Sequence, residues 1–229
     1  MRLAALISGG KDSICALTCA SYAHEVVQLV NIQPVEDSFM YHTPCVHVTS
    51  LISQAVDIPL TLGVSYSYED ELVLLSSLLQ DLEVDGVVVG TIASNYQMSR
   101  FKTLCDKLQL NLFAPLWNKG SEHLLRAMAR SMQITIVQVA ALGLDESWLG
   151  RTIDEEAVDD LSIVHRRYGV HIMGEGGEYE TLVLDAPIFH KRIKIISYEK
   201  KWFDGQCRGY IEISKLGLEE KRAGRIYEV

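Results

Sequence analysis

Two kinds of hydrophobic pattern alternate along the first half of the chain. Short, largely apolar runs of the kind found in buried parallel strands occur at residues 3–7, 26–32, 59–64, 86–89 and 112–116, and the first of them is fully apolar. Stretches with helical spacing lie between them, at residues 12–22, 45–56, 69–83 and 97–108. Ser121 is expected to cap a further helix. Strands that alternate with helices in this way predict a parallel sheet covered on both faces.

The alternation weakens after about residue 132. A strand-like stretch at 134–140 and a helical one at 154–168 are followed by three more strand-like stretches, at 179–184, 193–198 and 210–214. We therefore expect an α/β fold. A doubly wound, mostly parallel five-stranded sheet would occupy residues 1–132, and a smaller C-terminal α+β part would occupy residues 133–229.

The composition and net charge limit the kinds of partner that the protein is expected to bind. The chain has 21 Lys and Arg against 30 Asp and Glu, so its net charge is −9. An acidic chain binds nucleic acid and anionic membranes poorly without a specific site. No apolar run reaches the roughly 18 residues of a membrane span. The glycines at 9 and 10 interrupt the N-terminal apolar run too early for a signal peptide.

The cysteines favour a cytoplasmic location. There are five of them, and no two have the CxxC spacing of a redox or metal pair. Cys15 and Cys19 lie four residues apart on the first predicted helix, where we expect them to face the core as small apolar groups. His42, Cys45 and His47 lack the usual spacing of metal ligands. For His42, a nucleotide contact and a plain loop position both stay open.

The segment 8–13, with the sequence SGGKDS, carries the sharpest chemical signal. It lies between a predicted strand and a predicted helix. Two adjacent glycines let consecutive backbone N–H groups converge on one anion, and the helix N-terminus adds partial positive charge. Lys11, expected to be exposed, supplies a full charge, and the hydroxyls of Ser8 and Ser13 can donate to phosphate oxygens. Asp12 would repel a bare phosphate, which suggests a bound Mg²⁺ ion.

A plain strand-to-helix turn accounts less well for this segment, because such a turn would need neither both glycines nor the lysine. The segment lacks the GxxxxGK[ST] spacing of a Walker A loop and the GxGxxG of a dinucleotide fold. It resembles the PP-loop of the N-type ATP pyrophosphatases, which implies an adenine nucleotide alpha hydrolase-like sheet and cleavage between the α and β phosphates. Gly90 and Thr91, at the end of the fourth predicted strand, would then face the nucleotide.

A second segment, 174–181 with the sequence GEGGEYET, combines three glycines with three carboxylates ahead of an apolar strand. Its composition alone favours an exposed acidic turn over a functional loop. Carboxylates in a functional loop could hold Mg²⁺, bind a cation or take a proton from an incoming amine. Both interpretations stay open at the level of composition.

The full string EGGEYET resembles the signature of the diphthine–ammonia ligase family, in a short archaeal-type form. Similar segments elsewhere support the resemblance, at residues 38–43, 92–100, 141–146 and 149–151. Asn95 departs from the family pattern, in which many members carry an acidic residue, and this puts any charge role at that position in doubt. The chain ends at Val229 without the further domains of the longer eukaryotic members.

The resemblance implies an ATP-dependent ligase that adenylates the diphthine carboxylate of elongation factor 2 and amidates it with ammonium. AMP and pyrophosphate are the expected by-products, and ATP and Mg²⁺ the expected cofactors. A homodimer is an open alternative to a monomer. The rivals are a PP-loop adenylase that modifies tRNA and a non-catalytic ATP-binding regulatory module. The missing CxxC argues against the first, and SGGKDS argues against the second.

The candidate site residues fall into three groups. The predicted catalytic residues are Lys11, Asp12, which could also bind Mg²⁺, and Glu178. The predicted nucleotide-binding residues are Ser8, Gly9, Gly10, Lys11, Asp12, Ser13, His42, Gly90 and Thr91. The predicted substrate-binding residues are Tyr96, Gln97, Arg100, Glu175, Gly176, Gly177, Glu178, Tyr179 and Glu180. Within this last group, we expect the carboxylates to attract the trimethylammonium group of diphthine and Tyr179 to add a cation–π contact.

Overall fold

The computed structural model describes residues 1–34, 46–66 and 68–221, which divide into two compact units. Described residues up to Asn118 form the N-terminal unit, and those from Lys119 onward form the C-terminal unit. The N-terminal unit contains β1 (Arg2–Leu6), α1 (Lys11–Ala23), β2 (Glu25–Pro34), α2 (Val46–Val56), β3 (Leu60–Ser65), α3 (Tyr68–Gln80), β4 (Gly86–Val88), α4 (Asn95–Leu108) and β5 (Asn111–Phe113).

The strands of the N-terminal unit form one parallel sheet in the order β3-β2-β1-β4-β5. This confirms the predicted doubly wound, five-stranded α/β fold. The chain runs outward from β1 through β2 to β3, then returns to β4 on the other side of β1. The carboxyl ends of β1 and β4 therefore flank the point where strand order reverses, which is where ligands bind in sheets of this kind.

The core on one face of this sheet explains why the helices form where the pattern predicts them. Alternate strand residues such as Ala4, Val30 and Val87 pack against Leu75 and Leu79 of α3. Leu104 of α4 joins the same cluster. Apolar residues three and four apart place one helix face on the sheet and leave the other in solvent. The predicted boundaries of α3 and α4 shift by a few residues only.

The C-terminal unit begins with α5 (Ser121–Ser131) and contains a four-stranded antiparallel sheet. The remaining elements are β6 (Gln133–Ala140), a short 3₁₀ helix (Glu146–Trp148), α6 (Glu155–Tyr168), β7 (Tyr179–Asp185), β8 (Lys191–Phe203) and β9 (Arg208–Glu220). The strand order is β7-β6-β9-β8. Residues 150–153 pair with β6 on the side opposite β7, through bonds such as Ile136 N to Arg151 O at 2.9 Å.

The division between the units lies before α5, whereas the pattern of alternation placed it near residue 132, after α5. Ion pairs tie α5 to α6: Arg126 contacts Glu155 at 2.9 Å and Asp159 at 2.7 Å, and Arg130 also contacts Glu155. Hydrophobic alternation does not report such contacts between helices, so it could not assign α5 to the C-terminal unit.

Two local predictions differ from the structure. Ser121 is the first residue of α5 rather than its cap, since Gly120 is the N-cap and makes no side-chain capping bond. The strands β8 and β9 are each 13 residues long, well beyond the predicted stretches, because they pair with each other over nearly their whole length. Every helix of the described chain is too short or too polar to span a membrane.

Candidate active site

The loop between β1 and α1 has the backbone geometry of an anion site. Gly9 has a φ of +91°, a left-handed conformation that side chains with a Cβ resist. Gly10 is the N-cap of α1 and offers no side chain to the first turn. The backbone N–H groups at the start of α1 therefore meet no capping side chain from Gly10, and they point toward the loop.

The two serines of the loop hold its shape. The Ser8 N–H donates to Ser13 Oγ at 3.2 Å, and the Gly10 N–H donates to Ser8 Oγ at 3.3 Å. Ser13 Oγ donates to Gly10 O at 3.0 Å. These hydroxyls, expected to donate to phosphate, thus also close the loop on itself. The loop is organised before any ligand arrives.

Lys11 is buried, which corrects the expectation that it is exposed. Only 3% of the residue is accessible to solvent. Its Nζ donates to Asp12 Oδ2 at 2.9 Å, so the two neighbouring charges form an ion pair at the first turn of α1. A lysine so deeply buried needs a charged partner. Sequence reasoning missed the burial because it placed Lys11 at the edge of the sheet, where a charged side chain is expected to be in solvent.

Asp12 has one carboxylate oxygen without a donor in the described part of the chain. Its side chain is 27% exposed, and Oδ2 accepts from Lys11. Oδ1 is shielded from solvent and has no hydrogen-bond partner among the described residues. A buried carboxylate oxygen left unpaired is costly, and a hard cation such as Mg²⁺ is a natural partner for it. The residues present therefore fit a Mg²⁺ ion.

A metal ion at Asp12 would need most of its ligands from elsewhere. No cluster of three or more His, Cys, Asp or Glu side chains occurs within the described residues. Mg²⁺ commonly binds through one or two carboxylates together with phosphate oxygens and water. The single carboxylate of Asp12 fits that pattern and does not fit a dedicated protein cage.

Gly90 brings the end of β4 against the first turn of α1. A Cβ at Gly90 would lie 2.8 Å from Asp12 C and 2.8 Å from Ser13 N, so only glycine fits there. Thr91, the next residue, is buried. Both residues lie at the switch point, where the sequence predicted them. The close contact of Gly90 is with the backbone of segment 8–13, named the phosphate loop from here on. The sequence motif alone does not reveal this contact.

Asn31 is a residue of this site that sequence reasoning missed. It lies buried in β2, and its Nδ2 donates to Ile7 O at 2.7 Å, directly before the loop. Its Oδ1 has no hydrogen-bond partner among the described residues. The available signal was an amide within the largely apolar run 26–32, which also contains Gln28. Asn31 fixes where β1 ends and the loop starts.

The first two turns of α4 carry the predicted Tyr96, Gln97 and Arg100. Ser94 caps the helix by accepting from the Gln97 N–H at 3.3 Å. Tyr96 is 58% exposed, and the Arg100 guanidinium donates to its hydroxyl and lies 5.2 Å from its ring centroid. Because α4 follows β4, the first of these turns lies at the same sheet edge as the phosphate loop.

The segment 174–181 in the C-terminal unit is a closed loop with Glu178 at its centre. The Glu178 carboxylate accepts from the His171 N–H and from the Gly176 N–H, each at 2.8 Å. Gly174 has a φ of +70°, and a Cβ there would lie 2.9 Å from Tyr179 O. Glu178 therefore organises this loop. His171 takes part in the same arrangement, and sequence reasoning did not single it out.

The other predicted site residues of this segment differ in how far they are exposed to solvent. Tyr179 is 2% exposed and its hydroxyl donates to Ile172 O, while the expected cation–π contact with substrate stays a prediction. Its ring is part of the buried face of β7. Glu175, Gly176, Gly177 and Glu180 are exposed or near the surface. Glu175 and Glu180 lie on the surface, and their contact with the substrate stays a prediction.

Several sequence expectations lie outside the described residues. These are the nucleotide contact of His42, the similarity at 38–43 and the thiol of Cys45. The backbone of His47 lies in α2, but its side chain also lies outside the description. The expectation that His42, Cys45 and His47 bind no metal stays a prediction.

Cys15 and Cys19 lie on α1 and are half-buried, whereas the sequence predicted that both face the core. The hydrogen bond between the two thiols, together with burial, raises the pKa of Cys15 far above its usual range. A thiol with so high a pKa carries almost no thiolate and is a poor nucleophile. This agrees with the absence of CxxC spacing and gives no support to sulfur-transfer chemistry.

Comparison with protein families gives two matches that follow the division into units. Residues 1–112 match the diphthamide synthase N-terminal domain, and residues 120–218 match the diphthamide synthase C-terminal domain. The second match begins next to α5, in agreement with the structural division after Asn118.

Curated relatives with the name diphthine–ammonia ligase align over nearly the whole chain. The Mus musculus protein is 39% identical over 251 residues, covering 96% of this chain and 94% of its own length. The Schizosaccharomyces pombe protein is 36% identical, covering 87% of this chain but 37% of its own length. A solved structure titled a predicted subunit of tRNA methyltransferase from Methanocaldococcus jannaschii has a TM-score of 0.49 at 15% identity, covering 82% of this chain and 98% of that one.

Proposed function

Because the chain belongs to the diphthamide synthase family, we propose that it is an ATP-dependent carbon–nitrogen ligase that completes diphthamide. The carboxylate of diphthine on elongation factor 2 attacks the α-phosphate of ATP, and the bond to the β-phosphate breaks. Pyrophosphate leaves, and an acyl-adenylate remains. Ammonia then attacks the acyl carbon, loses a proton and displaces AMP, which gives the amide. The tRNA-modifying alternative has no support from the relatives.

The phosphate loop is the observation that carries this proposal. Its strand–loop–helix position at the switch point, with Gly9 left-handed and Gly10 at the N-cap, suits the β and γ phosphates of ATP. Negative charge grows on the pyrophosphate as it departs. Fixed N–H groups and the Lys11 ammonium stabilise that charge without having to reorganise.

Asp12 is the residue that would hold Mg²⁺, through its unpartnered Oδ1. When bound, the ion would withdraw charge from the phosphate oxygens it contacts. Lys11 keeps Oδ2 occupied and so fixes the orientation of the carboxylate. The Lys11–Asp12 pair thus has two functions: it provides positive charge for phosphate and a positioned oxygen for the metal.

Candidate contacts for the second substrate are assigned in each unit separately. Arg100 and Tyr96 lie at the sheet edge of the phosphate loop and suit a substrate carboxylate. The carboxylates of Glu175 and Glu180 suit the trimethylammonium group of diphthine. Glu178 serves as a positioning residue, because both of its oxygens already accept backbone N–H groups. Free ammonium supplies the nitrogen, and the reaction takes place in the cytoplasm.

A product analysis tests the proposal. The purified protein is mixed with Mg-ATP, ammonium and diphthine-bearing elongation factor 2, and nucleotides are separated by chromatography. We expect AMP and pyrophosphate in a one-to-one ratio with amide formed, which mass spectrometry reads as conversion of the carboxylate to an amide. ADP and phosphate as the main products would contradict the assignment. Omitting ammonium should leave the amide absent.

A further inference from the structure

The outer faces of α3 and α4 enclose a groove of about 520 Å³ in the N-terminal unit. Its apolar lining comes from Leu72, Val73 and Leu104, and hydroxyls such as those of Ser76 and Thr103 line the rest. Val73 is 70% exposed. Apolar side chains grouped in a groove and rimmed by polar groups mark a surface that contacts another molecule better than a single exposed side chain does.

The charged side chains that line the groove in the described structure are both cationic. Arg100 and Lys107 lie seven residues apart on α4, two turns along the same side of the helix. No carboxylate of the described residues lines the groove, although the chain as a whole carries a net charge of −9. The groove is therefore a local exception to the acidic surface, and charge complementarity favours an acidic partner.

One end of the groove reaches the proposed substrate side of the active site. Arg100 lines the groove and also donates to the hydroxyl of Tyr96, in the first turn of α4. That turn lies at the sheet edge of the phosphate loop. A molecule lying along the groove would thus have one end beside the residues assigned to the substrate carboxylate.

We propose that this groove is a docking site for an amphipathic, acidic helix of the protein that carries the substrate carboxylate. The inference rests on the proposed function, because it requires a protein substrate. Apolar side chains of the helix would contact Leu72, Val73 and Leu104, and its carboxylates would face Arg100 and Lys107. RNA fits less well, because an apolar lining with two cations provides few phosphate contacts.

Steady-state kinetics with diphthine-bearing elongation factor 2 tests the docking site. Lys107→Glu reverses one groove charge, and Val73→Asp places a charge in the apolar lining. Lys102→Glu is the matched control, since Lys102 is exposed on the same helix but does not line the groove. We expect the KM for the factor to rise about tenfold in the two groove variants and less than about twofold in the control. The kcat and the ATP affinity should stay at the wild-type value.

Salt dependence and folding complete the test. The KM of the wild type should rise with ionic strength, and Lys107→Glu should flatten that slope. Thermal melting establishes that each variant is folded. If Lys107→Glu melts at a lower temperature than the wild type, Lys107→Gln is used in its place. An unchanged KM in both groove variants, or an equal rise in Lys102→Glu, would overturn the docking site and leave the proposed function intact.

Two further outcomes separate this inference from its alternatives. A wild-type protein that forms no amide on the factor contradicts the proposed function itself. Binding of tRNA to the wild type that Lys107→Glu abolishes, with the KM for the factor unchanged, would overturn the protein partner in favour of RNA.

Discussion

In each unit, taken by itself, candidate site residues make structural contacts in addition to their proposed chemical roles. Lys11 is both the cation of the phosphate loop and the buried partner of Asp12. Asn31 anchors Ile7 O and keeps a second polar atom unpaired among the described residues. Glu178 binds the backbone of its own loop, which the motif EGGEYET does not indicate. Substitutions at such positions therefore change stability together with function, and the experiments need both measurements.

Replacing Lys11 by Met should separate the charge from the packing of the side chain. Met retains an apolar stem of similar length, so the burial is kept while the ammonium is lost. We expect Mg-ATP to bind at least about tenfold more weakly. The free energy of unfolding should fall by about 1–3 kcal/mol, because Asp12 loses its partner in a partly exposed setting. Calorimetric titration and urea unfolding measure the two effects. Lys102→Met is the control, and wild-type ATP affinity in Lys11→Met would refute the assigned role.

Glu178 and Glu175 should respond differently to replacement by Gln. In Glu178→Gln one backbone N–H loses its acceptor, so the melting temperature should fall by about 2–4 °C while ATP affinity is unchanged. Glu175→Gln should lower the melting temperature less than Glu178→Gln does and raise the KM for the protein substrate. Differential scanning fluorimetry and amidation kinetics on both variants distinguish these roles. Lost amidation in Glu178→Gln at the wild-type melting temperature would assign Glu178 directly to the substrate.

At the scale of elements, the site depends on where strands end. The loop follows β1, Asn31 joins β2 to the last residue before the loop, and Gly90 after β4 touches the first turn of α1. Three neighbouring strands thus fix one turn of helix. A parallel sheet brings these strand ends to one edge although they are far apart in sequence.

Gly90→Ala tests the contact between β4 and α1. The added Cβ would lie 2.8 Å from backbone atoms of Asp12 and Ser13, so the first turn of α1 must move. We expect ATP affinity to fall about tenfold or more, because the N–H groups leave the geometry that phosphate requires. Gly120→Ala is the matched control, since a Cβ there meets nothing within 4 Å. Equal ATP affinity in both variants would show that the contact is irrelevant to the site.

At the scale of the whole molecule, the distribution of charge affects which partners can bind. Ion pairs within the C-terminal unit affect the stability of that unit. The net charge of −9 disfavours non-specific binding to nucleic acid and leaves the α3–α4 groove as a local cationic surface. The C-terminal unit is held partly by ion pairs between α5 and α6, centred on Arg126 and Glu155. The stability of that unit should therefore depend on pH.

Arg126→Met tests this dependence. Hydrogen bonds from Arg126 and then Arg130 lower the pKa of Glu155 in the folded state. A carboxyl whose pKa is lowered by folding contributes stability above its unfolded pKa and loses it as the pH falls through the folded pKa. We expect the wild type to melt above Arg126→Met at pH 7, and the difference to shrink below about pH 4. Arg166→Met on α6 is the control. A difference independent of pH would contradict the role of the ion pairs.

Much of the fold followed from the sequence because it depends on local periodicity. Apolar runs and helical spacing predicted every described strand and every described helix of eight or more residues, with errors mainly at the ends. SGGKDS located the phosphate loop, because glycines and a lysine between a strand and a helix are a local requirement of the chemistry. The segment EGGEYET pointed to the family that the comparisons then showed.

Only the tertiary structure decided how those segments meet. The burial of Lys11, the contact of Gly90 with Asp12, the bond from Asn31 to Ile7 and the place of α5 beside α6 depend on close approaches that local periodicity does not report. The same holds for Tyr179, whose motif suggests a ligand contact while β7 buries its ring. Packing removes these side chains from solvent once the strands pair, and it thereby determines which motif residues remain exposed on the surface.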